Sequence, residues 1–218
     1  MKDQHDDADT LGLHFFGSMT ASISHELKNA LAIINENGGL LGDLAMLMEK
    51  GRPLEPERLK TLSGNIRRQV QRADDIIRRL NRFAHSAQEP AATSDVREIF
   101  EFTIALATRL ATMKGVTMTI APGPPVQLET RLFQLENLLW LCLKHLFVLT
   151  EGNQTVEFAV ADAGAEVVID LRFGEGLPVE EIGVRITREG QSLLTVFQAE
   201  LRADASLLRL KIPKKGSF

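Results

Sequence analysis

The chain has 218 residues, 44% of them hydrophobic and 25% charged, which supplies one large core or two small ones and is too apolar for a disordered tail. The longest apolar run, Leu138–Leu143, is far shorter than the roughly twenty residues of a membrane span, and a net charge of -4 gives no overall electrostatic footprint for nucleic acid or anionic lipid. One cysteine, Cys142, excludes an internal disulfide and a multi-thiolate zinc site, and the absence of an export signal makes a cytoplasmic location the expectation.

Residues 1–9 are polar and acidic and are expected to form a flexible N-terminus, with Asp9 or Thr10 capping the helix that follows. Alternating steps of three and four from Leu13 pass through Phe16, Thr20, Ile23, Leu27, Ala30, Ile34, Asn37, Leu41, Leu44 and Met48. This heptad-like stripe predicts one long bundle helix, with Gly38-Gly39 as a point prone to bend. Gly51, Pro53 and Pro56 break it. A second stripe, Leu59, Leu62, Ile66, Val70, Ala73, Ile77, Leu80 and Ala84, predicts a second helix ending before Pro90. Together they make a helical hairpin over residues 10–87.

Charge is divided between the two helices. Residues 1–50 carry eight acids and three lysines, whereas residues 57–86 carry eight bases and three acids. The arginines at 67, 68, 72, 78, 79 and 82 fit a solvated or intra-hairpin face, and also a face that docks an acidic partner. A lone pair of helices about 45 Å long cannot cover two apolar stripes, so a homodimer closing a four-helix bundle is expected.

Ser86–Ser94 is small and polar and reads as a linker. The pattern then predicts a helix over Asp95–Lys114, a strand over Val116–Ala121, a turn at Pro122–Pro125 and a very apolar helix over Thr130–Leu149. Strands at Val156–Ala161 and Val167–Phe173 flank a turn at Asp162–Gly164; a Gly-rich segment, a helix near Leu193–Arg202 and a strand at Leu207–Ile212 follow. The fold class is α+β: a long antiparallel hairpin, then an α/β domain over residues 95–218.

The most informative segment is Ser24-His25-Glu26-Leu27-Lys28-Asn29. With Ile23 and Leu27 on the buried stripe, His25 is turned away from the core, and Asn29, four residues on, shares its face. An imidazole titrates near neutral pH and is an available nucleophile when a neighbour fixes its tautomer, a role open to Glu26. His5 lies in the tail, and His14, His85 and His145 read as surface or helix-end residues.

Ser24–Ala32 (Ser-His-Glu-Leu-Lys-Asn-Ala-Leu-Ala) closely resembles the phosphoacceptor box of bacterial sensor histidine kinases, departing at Ala30, where proline is typical. The loss of that proline predicts a straighter helix. The resemblance implies that His25 carries phosphate on Nε2, that Glu26 orients or activates the ring, and that Asn29 positions a water for dephosphorylation. In this family the second domain is an ATP-binding sandwich of the GHKL type, and residues 95–218 follow its element order. Its decisive residues are replaced. Within Arg131–Cys142, which resembles the N-box helix, Asn137 matches the first asparagine, while the second, which holds magnesium and phosphate, falls on Leu141. A leucine offers no oxygen to a hard cation. The Asp-x-Gly-x-Gly box falls on Arg172-Phe173-Gly174-Glu175-Gly176, keeping Gly174 and Gly176 but placing a donor-only guanidinium where adenine needs an acceptor. The last glycine box falls near Gly190–Leu193, leaving little room for a lid.

An intact phosphoacceptor hairpin joined to a degenerate ATPase-like domain resembles the histidine phosphotransferases of sporulation and cell-cycle relays. That resemblance implies phosphate exchange with response-regulator receiver domains, no cofactor of its own, and magnesium supplied by the receiver. A response-regulator phosphatase using Glu26 and Asn29, and a non-catalytic regulator or scaffold of a histidine kinase, are the alternatives.

Overall fold

The computed structural model describes the backbone of residues 2–150 and 152–214 and the side chains of residues 8–150 and 152–214. The chain divides into two compact units, one made of Thr20–Phe83 and the other of the described residues in 1–19 and 84–218.

In the first unit, helix α1 (Lys2–Glu49) and helix α2 (Pro56–Ser86) supply the hairpin. Helix α1 is expected to start at an Asp9 or Thr10 cap, but it begins at Lys2. The first nine residues contain no glycine or proline, and four aspartates suit the positive end of a helix dipole. His5 has a side chain outside the described residues. At the other end, Gly51 adopts φ +77°; its N–H bonds Met48 O at 2.9 Å and the Arg52 N–H bonds Leu47 O at 3.1 Å. These paired bonds satisfy carbonyls the helix leaves open and terminate it as the glycine predicts.

Ile23, Ala30, Leu44, Leu62, Ala73, Ile76 and Phe83 are buried in this unit. The polar member of the stripe, Asn37, is buried too. Its side chain donates to Ile33 O at 2.7 Å and accepts from Asn65 Nδ2 at 3.2 Å, so the amide is satisfied and fixes the register of the two helices. The stripes differ from expectation at their margins. Met48, Val70 and Ile77 are exposed, while Ile76 takes the buried position beside Ala73. The charge asymmetry links the helices through Arg79 and Glu26 at 3.0 Å; Arg78 instead pairs with Asp74 along its own helix.

The second unit is built on a five-stranded sheet of order β2-β4-β5-β7-β6 and a two-stranded ribbon β1-β3. Its elements are β1 (Ala92–Asp95), α3 (Val96–Met113), β2 (Val116–Ile120), β3 (Gln127–Thr130), α4 (Leu132–Leu149), β4 (Gln154–Asp162), β5 (Glu166–Phe173), α5 (Val179–Val196), β6 (Glu200–Asp204) and β7 (Leu207–Pro213). Strand β2 runs parallel to β4; the remaining pairs are antiparallel. The expected linker ends in β1, which pairs with β3. Asp95 caps α3, accepting from Arg97 N at 3.0 Å and from Val126 N at 3.1 Å, which joins the helix start to the ribbon.

Helix α4 is largely apolar because most of it is covered: twelve of its residues, from Leu135 to Phe147, are buried. It is long and apolar enough to cross a membrane, and 67% of it is buried within the protein, as a core helix requires. Phe15, near the start of α1, is 2% exposed, with its ring 5.3 Å from that of Phe133 and 6.3 Å from that of Trp140. The early part of α1 is thus a packing layer on α4. The expected helix near Leu193–Arg202 is instead α5, which starts at Val179; Glu200–Asp204 is a strand. Alternation in Glu200–Asp204 is hidden by its charges, as befits the sheet edge that β6 occupies.

Candidate phosphoacceptor and nucleotide faces

His25 and Asn29 lie one turn apart on α1, and both are exposed. No described residue hydrogen-bonds the His25 ring. Helix α1 runs unbroken through Ala30, which is fully buried, so the position that usually carries proline here carries a packing methyl. Glu26 behaves differently from the expectation that it orients the imidazole. It is 8% exposed and turns to α2, where Oε2 accepts from Arg79 Nη2 at 3.0 Å. Its Oε1 is buried with no hydrogen-bond partner. Adjacent residues on a helix diverge by about 100°, which is how His25 reaches solvent while Glu26 enters the hairpin.

The second face belongs to the α/β unit alone. Asn137 and Leu141 are both buried, 3% and 3% exposed, one turn apart on α4. The Leu141 side chain fills the space beside α5: a Cβ placed on Gly190 would meet Leu141 Cδ2 at 2.5 Å. Gly190 also departs from helical geometry (φ -101°, ψ 16°), so α5 bends where it passes this leucine. Gly176, at φ +87°, turns the chain out of β5, and α5 begins three residues later. Arg172 lies opposite Glu157 in the β4–β5 register and pairs with it at 3.0 Å. The buried carboxylate nearest to it, Asp170, is held by Arg209 through two bonds of 2.7 and 2.8 Å. Gly174 lies against Gln154, whose Oε1 would be 2.9 Å from an added Cβ. Leu141, Arg172, Gly174 and Gly176 are therefore engaged in packing, ion pairing and turns, and this set does not fit a nucleotide with its magnesium.

A cavity of about 460 Å³ remains next to Asn137, lined among others by Asp9, Phe16, Glu89, Arg131 and Phe133. Sequence reasoning cannot see it, because its walls come from four separate stretches of chain.

His145 also departs from expectation. It is buried, with Nε2 2.9 Å from Glu189 Oε2. The approach is close but poorly aligned, so neither ring nitrogen makes a hydrogen bond. Lys144 bonds the other Glu189 oxygen at 2.5 Å. Burial, opposed by the Glu189 charge, holds His145 below its usual 6.5. For Glu189, burial acts upward, but Lys144 and His145 outweigh it and hold the carboxyl below its usual 4.5. Both shifts have the same consequence. The unfolded chain binds protons that the folded unit does not, so the stability from these groups is complete above pH 6.5 and is lost first as His145 and then as Glu189 protonates. Melting curves followed by Trp140 emission should be flat above about pH 7 and fall in midpoint towards pH 4. His145→Gln should remove the upper part of that slope, and an unchanged slope would rule out the assignment.

A helical hairpin that carries an exposed histidine is thus followed by an α/β domain. Residues 17–89 match the His Kinase A (phospho-acceptor) domain family. The α/β domain has the fold of a histidine kinase catalytic domain. The catalytic domain of histidine kinase ThkA aligns with TM-score 0.50 and 12% identity, covering 59% of this chain and 100% of that one. A histidine kinase from Burkholderia phymatum aligns with TM-score 0.48 and 13% identity, over 92% of this chain and 98% of that one. Acinetobacter baumannii histidine kinase AdeS aligns with TM-score 0.47 and 12% identity, over 88% and 98%. No curated protein matches the chain.

Proposed function

We propose that the protein is a histidine phosphotransferase of a two-component phosphorelay, which takes phosphate from a receiver-domain aspartate onto His25 and passes it to another response regulator without using ATP. The observation that carries this reading is the contrast between its two halves: an exposed His25 in a matched phosphoacceptor domain, and a leucine packed on Gly190 where a nucleotide-binding relative has its magnesium-holding asparagine.

In the reaction, the Nε2 lone pair of His25 attacks phosphorus in line, and the P–O bond to the receiver's aspartate breaks with its electron pair leaving on the carboxylate. The reverse step on a second receiver returns His25 to its starting state. The receiver's own acids hold the magnesium, so the chain itself needs no cofactor. Apolar residues left exposed on the hairpin, among them Leu31, Leu40, Val70 and Ile77, support a homodimer in which a second copy covers them. We place the protein in the cytoplasm, where receiver domains reside.

A second reading, a response-regulator phosphatase, is favoured by Asn29, which is exposed one turn from His25 and free to orient a water. Two measurements decide. Isothermal titration with Mg-ATP should give no saturable heat; micromolar affinity would overturn the ATP-independent assignment. Mixing with a phosphorylated receiver should place label on the protein, and failure to label would sink phosphotransfer.

A further inference from the structure

We infer that Arg79 is a positioning residue for the chemistry at His25: it holds the Glu26 carboxylate against α2, away from the imidazole, and breaking that ion pair frees Glu26 to accept the His25 Nδ1–H. The inference rests on the phosphotransfer reading above.

Three observations carry it. Glu26 and His25 are consecutive on α1 and their side chains leave the helix about 100° apart, so the carboxylate can serve the ring only after it leaves Arg79. Arg79 satisfies only one of the two carboxylate oxygens: Oε2 is bonded at 3.0 Å, whereas Oε1 is buried with no partner. A buried carboxylate with an unused acceptor is incompletely compensated, so the latched position does not meet all of its bonding demand. The His25 ring, for its part, is exposed and unbonded, and nothing fixes its tautomer. A carboxylate on Nδ1–H selects the tautomer whose lone pair is on Nε2.

The coupling matters at the moment of transfer. When Nε2 attacks phosphorus and the bond to the aspartyl oxygen breaks, the imidazole gains positive charge, and the proton on Nδ1 then points at whatever acceptor is present. Glu26 in the released position stabilises that charge. In the latched position Arg79 takes up the negative charge instead. Release depends on geometry along the two helices.

The test uses the full chain labelled with ¹⁵N. Two-bond proton–nitrogen correlations at pH 8, assigned with His25→Ala, report the His25 tautomer. Arg79→Gln should shift the population towards the Nδ1–H form and raise the rate constant for labelling from a phosphorylated receiver about three- to tenfold, with half-saturation unchanged. The double variant Glu26→Gln/Arg79→Gln should return both readings to the wild-type range, because the acceptor is gone. Should Arg79→Gln fail to fold cooperatively, Arg79→Lys, which keeps the charge but loses the fork, should show the same shift in smaller degree. A folded Arg79 variant with an unchanged tautomer ratio would overturn the inference. A tautomer shift in a protein that takes no label supports the Arg79–Glu26–His25 coupling and counts against the phosphotransfer reading, so the two fail separately.

Discussion

Given a receiver domain charged with aspartyl phosphate, the protein should acquire a label that is lost in acid and kept in base, and His25→Ala should acquire none. The expected loss is about 10³-fold or more, because the substitution removes the nucleophile and leaves no neighbouring group to replace it. The wild-type chemistry needs an imidazole that a receiver can reach, and His25 is exposed on an unbroken helix with no partner to displace. Asn29→Ala separates transfer from hydrolysis. It should leave the labelling rate within about twofold while the lifetime of the label on a receiver lengthens, since orienting water is the role its position supports. A protein that acts only as a phosphatase gives the opposite pattern: His25→Gln keeps the activity and Asn29→Ala loses it. A scaffold gives no label on His25 under any condition.

Helix α1 is largely legible in the sequence because its information is local. Spacing of Ile23, Leu27 and Ala30 fixed which side of α1 is buried, and that alone turned His25 and Asn29 outward. What local spacing could not show is the partner of a buried acid. Glu26 sits beside His25 in sequence, yet its carboxylate is claimed by Arg79, 53 residues on. The α/β half was read less well for a similar reason. Short strands such as Ala92–Asp95 and Gln127–Thr130 exist because they pair with each other across the chain, and four residues are too few to give a periodic signal. Helix α5 starts at Val179, well before the expected helix near Leu193–Arg202, and it contains Gly183 and Gly190. In the structure they are close approaches: a Cβ on Gly183 would be 2.4 Å from Ala203 Cβ, and one on Gly190 would be 2.5 Å from Leu141 Cδ2. Glycine here reports contact between elements, which a single sequence does not distinguish from a turn.

Phe15→Ala should be among the most destabilising single substitutions in the α/β unit, costing about 3–5 kcal/mol. The residue is 2% exposed and tilts against Phe133 on one side and stacks near Trp140 on the other, at 5.3 and 6.3 Å between ring centres. Truncation removes a full aromatic side chain from a close-packed layer and leaves a void that α4, itself mostly buried, cannot collapse to fill. Gly12 lies one turn before Phe15, with Phe133 Cε1 3.2 Å from where its Cβ would be, so this stretch of α1 approaches α4 closely along more than one turn. The loss should therefore be cooperative along residues 8–19 and not confined to one position. Trp140, the only tryptophan, reports it directly: its emission should move to longer wavelength in Phe15→Ala, and amide exchange over residues 8–19 should accelerate. Phe15→Leu, which keeps most of the apolar volume, should lose less than half as much stability. If Phe15→Ala left both Trp140 emission and exchange at residues 8–19 unchanged, the early part of α1 would not be a layer of the α/β core.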